Sequence, residues 1–267
     1  MSDTTTHASP RMTRTAAILM GIACLVTLAA LLALGTWQVQ RLAWKEALIA
    51  TIDERVVAEP RPLTDIETRY ATTRDVEYWP IALEGVFHHD LERHYLATWR
   101  GQSGFQVMTP LELPDGRFVF VNRGFVPYDR KDPASRPEGQ VEGVVEVAGL
   151  SRRAEPAKPS FILPDNDPSK NVFYWKDLEV MAQSAGLGEE PVLPFFVDAD
   201  DAANPGGMPI GGVTRIDLPN SHLQYAVTWY GLALTLVVIM VAWLWRNRRV
   251  RPLAETPPTA SGDNSSA

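Results

Sequence analysis

One histidine opens the last apolar stretch of the chain. Residues 220–245 read NSHLQYAVTWYGLALTLVVIMVAWLW, with no charged residue from Gln224 to Trp245. Ser221-x-x-Gln224 fits a capping box, so the spacing predicts a helix that starts at His222. Such a helix puts His222, Tyr225, Ala226 and Trp229 on one stripe. The partial positive charge of a helix N-terminus disfavours the imidazolium and leaves the ring neutral, the form that ligates metals. An axial histidine is a common ligand of haem iron, and Tyr225 and Trp229 offer flat apolar surface beside it. The competing reading is a solvated histidine at the lipid interface.

Other candidates stand earlier. His88, His89, Asp90 and His94 resemble a metal cluster, and a metal-dependent hydrolase is the reading they raise. Adjacent strand residues point to opposite faces, however, so exposed turn residues are the plainer account. Arg123, in Val121-Asn-Arg-Gly-Phe-Val-Pro127, closes an otherwise apolar strand. Gly124 beside it allows a bulge or a close backbone approach. An arginine so placed can fork onto a carboxylate or phosphate, or be satisfied inside the protein. Trp37, Arg41, Trp44, Leu48, Ile52 and Val56 recur on one helical face, where Arg41 must find a partner or snorkel. The chain lacks HExxH and GxSxG.

Two membrane spans must position these groups. Residues 16–34 carry no charge, and both they and residues 226–245 reach roughly 30 Å as helix. Basic residues before the first span also suit a cleaved signal peptide, but the run is long for one and Ala33-x-Gly35 is a poor cleavage site. A retained anchor is expected. Arg11 and Arg14 precede the first span, and Arg246, Arg248, Arg249 and Arg251 follow the second. The positive-inside rule then places both termini in the cytoplasm and the acidic middle outside. The expected layout is a cytoplasmic N-terminus at 1–15, transmembrane helices at 16–36 and 225–245, an extracytoplasmic domain at 37–224, and a basic, then disordered, tail at 246–267.

The middle reads as α+β and mainly antiparallel, a small barrel or bent sheet. Strands are predicted at 78–87, 93–99, 105–113, 117–126 and 141–150, with shorter ones at 194–198 and 212–217. Leu113-Pro-Asp-Gly-Arg117 predicts a hairpin, and residues 174–185 a helix ended by Gly186. Net charge is −7, which argues against nucleic acid as a partner. The single cysteine, Cys24, excludes an internal disulfide and any cysteine-based zinc site.

Four motifs carry a resemblance. They are Leu34-Gly-Thr-Trp37-Gln38-x-x-Arg41-x-x-Trp44-Lys45, the hairpin running to Asn122-Arg123-Gly124-Phe125-Val-Pro127, Phe173-Tyr-Trp-Lys-Asp177-x-x-x-Met181-Ala182, and Asn220-x-His222-x-x-Tyr225-Ala226-x-Thr228-Trp229-Tyr230. In these the chain resembles the surfeit-locus protein one family, assembly factors of haem-copper cytochrome c oxidase. Phe125 replaces the tryptophan usual in the second motif, and the first span starts too early for a transit peptide, as in a bacterial member. The resemblance implies no enzymatic activity. It implies a chaperone of respiratory-chain biogenesis in the bacterial inner membrane, with a periplasmic domain. It also implies haem a bound transiently at His222, which would be the metal ligand, with Tyr225, Trp229, Arg123, Trp37 and Arg41 as further contacts. The implied partners are oxidase subunit I, other oxidase assembly factors and the lipid bilayer. A cofactor-free scaffold for the nascent subunit is the alternative.

Overall fold

Uncharged residues and an absence of proline from residue 16 onward favour a long helix, and it does not stop at the end of the apolar run. In the computed structural model, which describes residues 13–155, 157–214 and 218–249, helix α1 spans Arg14–Val56. The stalk expected from the periodicity of residues 37–56 is therefore the same helix. Its close packing falls into two units, divided within α1. One contains α1 through Ala47 together with helix α4, His222–Arg249. The other is Leu48–Leu218. Both α1 and α4 are long and apolar enough to cross a membrane. Arg251 and the remainder of the tail lie outside the described residues.

In the second unit a six-stranded sheet closes on itself. Its strands are β1 (Pro80–Phe87), β2 (Arg93–Trp99), β3 (Gln102–Glu112), β4 (Phe118–Pro127), β5 (Val144–Arg153) and β6 (Val192–Ala199). The order is β1-β5-β6-β4-β3, and β1 returns to β3 through Val86↔Glu112 and Phe87↔Leu111. Five strands thus form a barrel, with β2 appended to the other edge of β3. All pairings are antiparallel except β4 with β6. The β3–β4 hairpin turns where expected: Gly116 N–H donates to the Leu113 carbonyl at 2.9 Å, with Gly116 at φ 83°.

Strand β4 is buried along its whole length, which explains its near-continuous apolar run. Val119 and Val121 join one cluster with Ile81, Leu83, Leu111, Phe195 and Val197. Helix α2 (Leu63–Thr73) adds Ile66 to it. Phe118 and Phe120 point the other way, to a cluster with Phe173, Phe196 and Met181 of α3 (Leu178–Ser184). Truncating a side chain buried like Phe196 to alanine costs about 3–5 kcal/mol.

Several expectations change: β3 starts at Gln102 instead of 105 and β1 at Pro80 instead of 78, and three further differences have a local cause. Strand β5 starts three residues late because the turn sits at Gly143, φ 83°. The helix at 174–185 starts at Leu178: the Asn166 side chain holds the backbone of Tyr174 and Trp175 in a loop, and Asp177 caps the helix on Val180 N–H at 3.1 Å. Residues 212–214 form no strand. Gly212 N–H instead donates to the Asp200 carbonyl at 2.8 Å. Residues 215–217 lie outside the described part.

Candidate functional site

Helices α1 and α4 meet through small residues. Ala226 and Ala233 are buried, and a Cβ at Gly35 would stand 2.9 Å from the Tyr230 ring. The missing side chain lets the helices approach, as small residues do between membrane helices. The Thr36 hydroxyl donates to the Leu32 carbonyl at 2.9 Å and lies 3.1 Å from the Tyr230 hydroxyl, which is therefore the donor between them.

One end of this helix pair brings His222 to Gln38. His222 Nδ1 lies 2.7 Å from Gln38 Oε1. An amide oxygen only accepts, so Nδ1 carries the hydrogen. In the neutral ring this leaves the lone pair on Nε2. Gln38 is buried and His222 half-buried. A histidine whose Nδ1–H is held by an oxygen is oriented, and fixed in the tautomer that presents Nε2, as metal-ligating histidines are. Among the described residues neither side-chain bond of the expected capping box forms. The Ser221 carbonyl accepts from Tyr225 N–H at 3.2 Å, but the side-chain oxygen near the His222 N–H belongs to Asn220, at 3.4 Å.

Tyr225 and Trp37 are exposed on these helices and Trp229 is half-buried. The Arg41 guanidinium stacks on the Trp44 ring, 3.7 Å from its centre. This meets the need for a partner through a ring face and leaves the N–H edges of Arg41 free of any ion pair among the described residues.

Arg123 is elsewhere, in the barrel. Arg123 and Gly124 together face Val107 in a β-bulge of β4 against β3. Gly124 takes φ 123°, and a Cβ there would collide with the Ile210 carbonyl, because Phe125 and Ile210 exchange backbone hydrogen bonds at 2.8 Å. By strand alternation Arg123 falls on the face of Val119 and Val121, and its side chain is buried. Its Nη2 donates to the Gly139 carbonyl at 2.7 Å and to Asn204 Oδ1 at 3.0 Å. Its Nη1 lies 3.2 Å from His89 Nδ1, and the guanidinium covers the Phe87 ring at 4.8 Å. Burial pushes its pKa down to about 10.

The four polar residues at 88–94 do not converge. His88 pairs with Glu112 at 2.7 Å. His89 donates from Nε2 to the Val141 carbonyl at 2.9 Å and receives Arg123. Burial, reinforced by the Arg123 charge, lowers its pKa and keeps it neutral. His94 is buried against Glu92, which also accepts from Arg136. Among the described residues no three such side chains gather to hold a metal ion. The expected turn is there, a single 3-10 turn at His89–Leu91 with Asp90 exposed, but the three histidines have separate internal partners instead of solvent.

Two features escaped the sequence. One is Gln38 as the partner of His222, 184 positions away. The other is Asp198, almost fully buried, which accepts from Asn122 (2.9 Å), Arg152 (2.9 Å), Thr214 (3.0 Å) and Lys176 (3.2 Å). Burial alone would raise its pKa. The charges of Lys176 and Arg152 and the two neutral donors outweigh that and hold it below the usual carboxylate value. Asn122 also accepts from Gly124 N–H at 3.2 Å, so it ties the bulge to this ion cluster.

Fold and helix pair together define a membrane protein whose two apolar helices precede and follow a five-stranded barrel in sequence. The chain belongs to the SURF1 family, whose model matches residues 25–234. It is 42% identical over 238 residues to surfeit locus protein 1 of Xenopus tropicalis, covering 83% of this chain and 73% of that one. It is 38% identical over 235 residues to the human protein of that name, at 82% and 73% coverage. A SURF1-like protein of Drosophila melanogaster is 33% identical over 237 residues, at 82% and 73%.

Proposed function

We propose that this protein is a non-enzymatic assembly factor for haem-copper cytochrome c oxidase, which holds haem a at His222 and assists its delivery to subunit I. The observation that supports this best is the His222–Gln38 hydrogen bond at 2.7 Å. It leaves Nε2 as a single, oriented nitrogen donor, and a lone donor suits a metal that arrives with its other ligands in place. Haem, if bound, would be held by His222 Nε2 and would supply an iron that this nitrogen could ligate. Gln38 fixes the imidazole, and the Tyr225, Trp229 and Trp37 rings offer apolar surface near it. Arg41, which forms no ion pair among the described residues, suits an acidic substituent.

The basic flanks at Arg14 and Arg246–Arg249 support cytoplasmic termini and a periplasmic barrel in the bacterial inner membrane, with His222 at the outer lipid interface. The exposed Trp37 and Trp44 favour a second reading, a cofactor-free scaffold that grips subunit I or another assembly factor. The deciding experiment is the absorption spectrum of protein purified from cells able to make haem a, beside His222→Ala. Loss of the haem band in the variant is expected. An unchanged band removes His222 from the mechanism, and copurification with subunit I in a haem-free wild-type protein turns the reading to the scaffold.

A further inference from the structure

Arg123 is a buried cation with neutral partners. The residue is 3% exposed, and what its guanidinium touches are a carbonyl, an amide oxygen, an imidazole and a phenyl face. Among the described residues it forms no ion pair. Its hydrogen bonds use Nη1 once and Nη2 twice, so the Nε–H and one Nη1–H remain undonated. Buried charges are ordinarily paired, because an unpaired one forfeits its hydration with nothing in return. The low Arg123 pKa is the sign of that cost.

The same arginine lines a cleft of about 590 Å³, bounded by β1, β5 and the segment after β6. Its walls are apolar: Phe87, Val145 and Val147 stand beside Arg123 and Asn204. Three exposed carboxylates, Glu84, Glu146 and Asp200, also line it. Glu84 and Glu146 are direct cross-strand partners, an unfavourable pairing of like charges. A volume of this size with mostly apolar walls and few polar groups is typical of a small-molecule site.

We infer that this cleft binds a small amphiphilic monocarboxylate, with its acid group on Arg123 and its apolar body against Phe87, Val145 and Val147. The buried guanidinium selects an anion, and the apolar walls select a hydrocarbon body. The acidic lining discriminates against a second negative charge, so a carboxylate is preferred to a phosphate. The site is independent of His222 and of any haem reading.

The test uses the full chain in lipid nanodiscs, titrated calorimetrically with octanoate, octan-1-ol and octyl phosphate and corrected against empty nanodiscs. Saturable one-site binding of octanoate is expected, at least tenfold tighter than either of the others. Arg123→Gln should weaken it tenfold or more. Val145→Phe enlarges a side chain that lines the cleft and leaves the Arg123 guanidinium in the chain. It should abolish binding while the protein keeps its unfolding midpoint, and so decides the matter if Arg123→Gln does not fold. Equal binding of octanol, tighter binding of octyl phosphate, no saturable octanoate binding, or full octanoate binding by Val145→Phe would each overturn the inference.

Discussion

Three consecutive residues of β4 do three different things. Asn122 is a hydrogen-bond hub, donating to Gln106 at 3.1 Å and to Asp198 at 2.9 Å. Arg123 is a buried cation, and Gly124 is the hinge that lets both neighbours face their partners. The glycine is needed twice over, for its φ of 123° and for the Ile210 carbonyl where a Cβ would go. Gly124→Ala therefore combines backbone strain with overpacking, about 2–4 kcal/mol together. Gly101 makes a useful control, since it has φ 81° and open space around it, so alanine there costs strain alone. Denaturant titration of the two variants should show Gly124→Ala as the more destabilising by more than about 1 kcal/mol. Equal losses would mean that the Ile210 contact yields freely.

At the scale of elements, the helix pair is set by Gly35 against Tyr230, and the imidazole is oriented only where the pair is close. Gly35→Leu forces the two helices apart, while Tyr230→Ala in the same chain makes room again. The single variant should lose the haem band proposed for His222 although the histidine is intact, and the double variant should regain much of it. A band retained in Gly35→Leu would show that Gln38 does not position the ring. Most elements were legible in the sequence where their signals are local. The spans follow from charge-free runs, the hairpin from Pro114-Asp-Gly116, and the end of α3 from Gly186. Helix α2 was not: Pro62 precedes it without any side-chain cap, and it ends on Arg74 in the left-handed region, φ 59°, where a glycine would have announced the stop. The candidate site was half legible. His222 and its aromatic neighbours share one helix and so one spacing. Gln38 and the Asp198 cluster join residues far apart in sequence, and no local pattern records a tertiary hydrogen bond.

At the scale of the whole molecule, acid acts on the barrel through groups spread over its strands and loops. His89 has a folded-state pKa below its ordinary 6.5. The folded form therefore binds fewer protons than the unfolded form as pH falls below that value. Its stabilising contribution is complete above about pH 6.5 and is lost below it. Asp198 also has a lowered value, relative to 3.8. Its contribution holds at neutral pH and fades only as pH falls below about 5 towards the folded pKa. The two windows separate the groups. Between pH 7.5 and 5.5 the unfolding midpoint of the solubilised protein should fall, and His89→Gln should flatten that slope because the imidazole beside Arg123 is gone. Once pH has fallen below the folded-state pKa of His89, the variant and the wild type should again run parallel, because Asp198 is common to both and still bridges Asn122, Arg152, Lys176 and Thr214. An unchanged slope in His89→Gln across the upper window would place the acid sensitivity elsewhere than the His89–Arg123 contact.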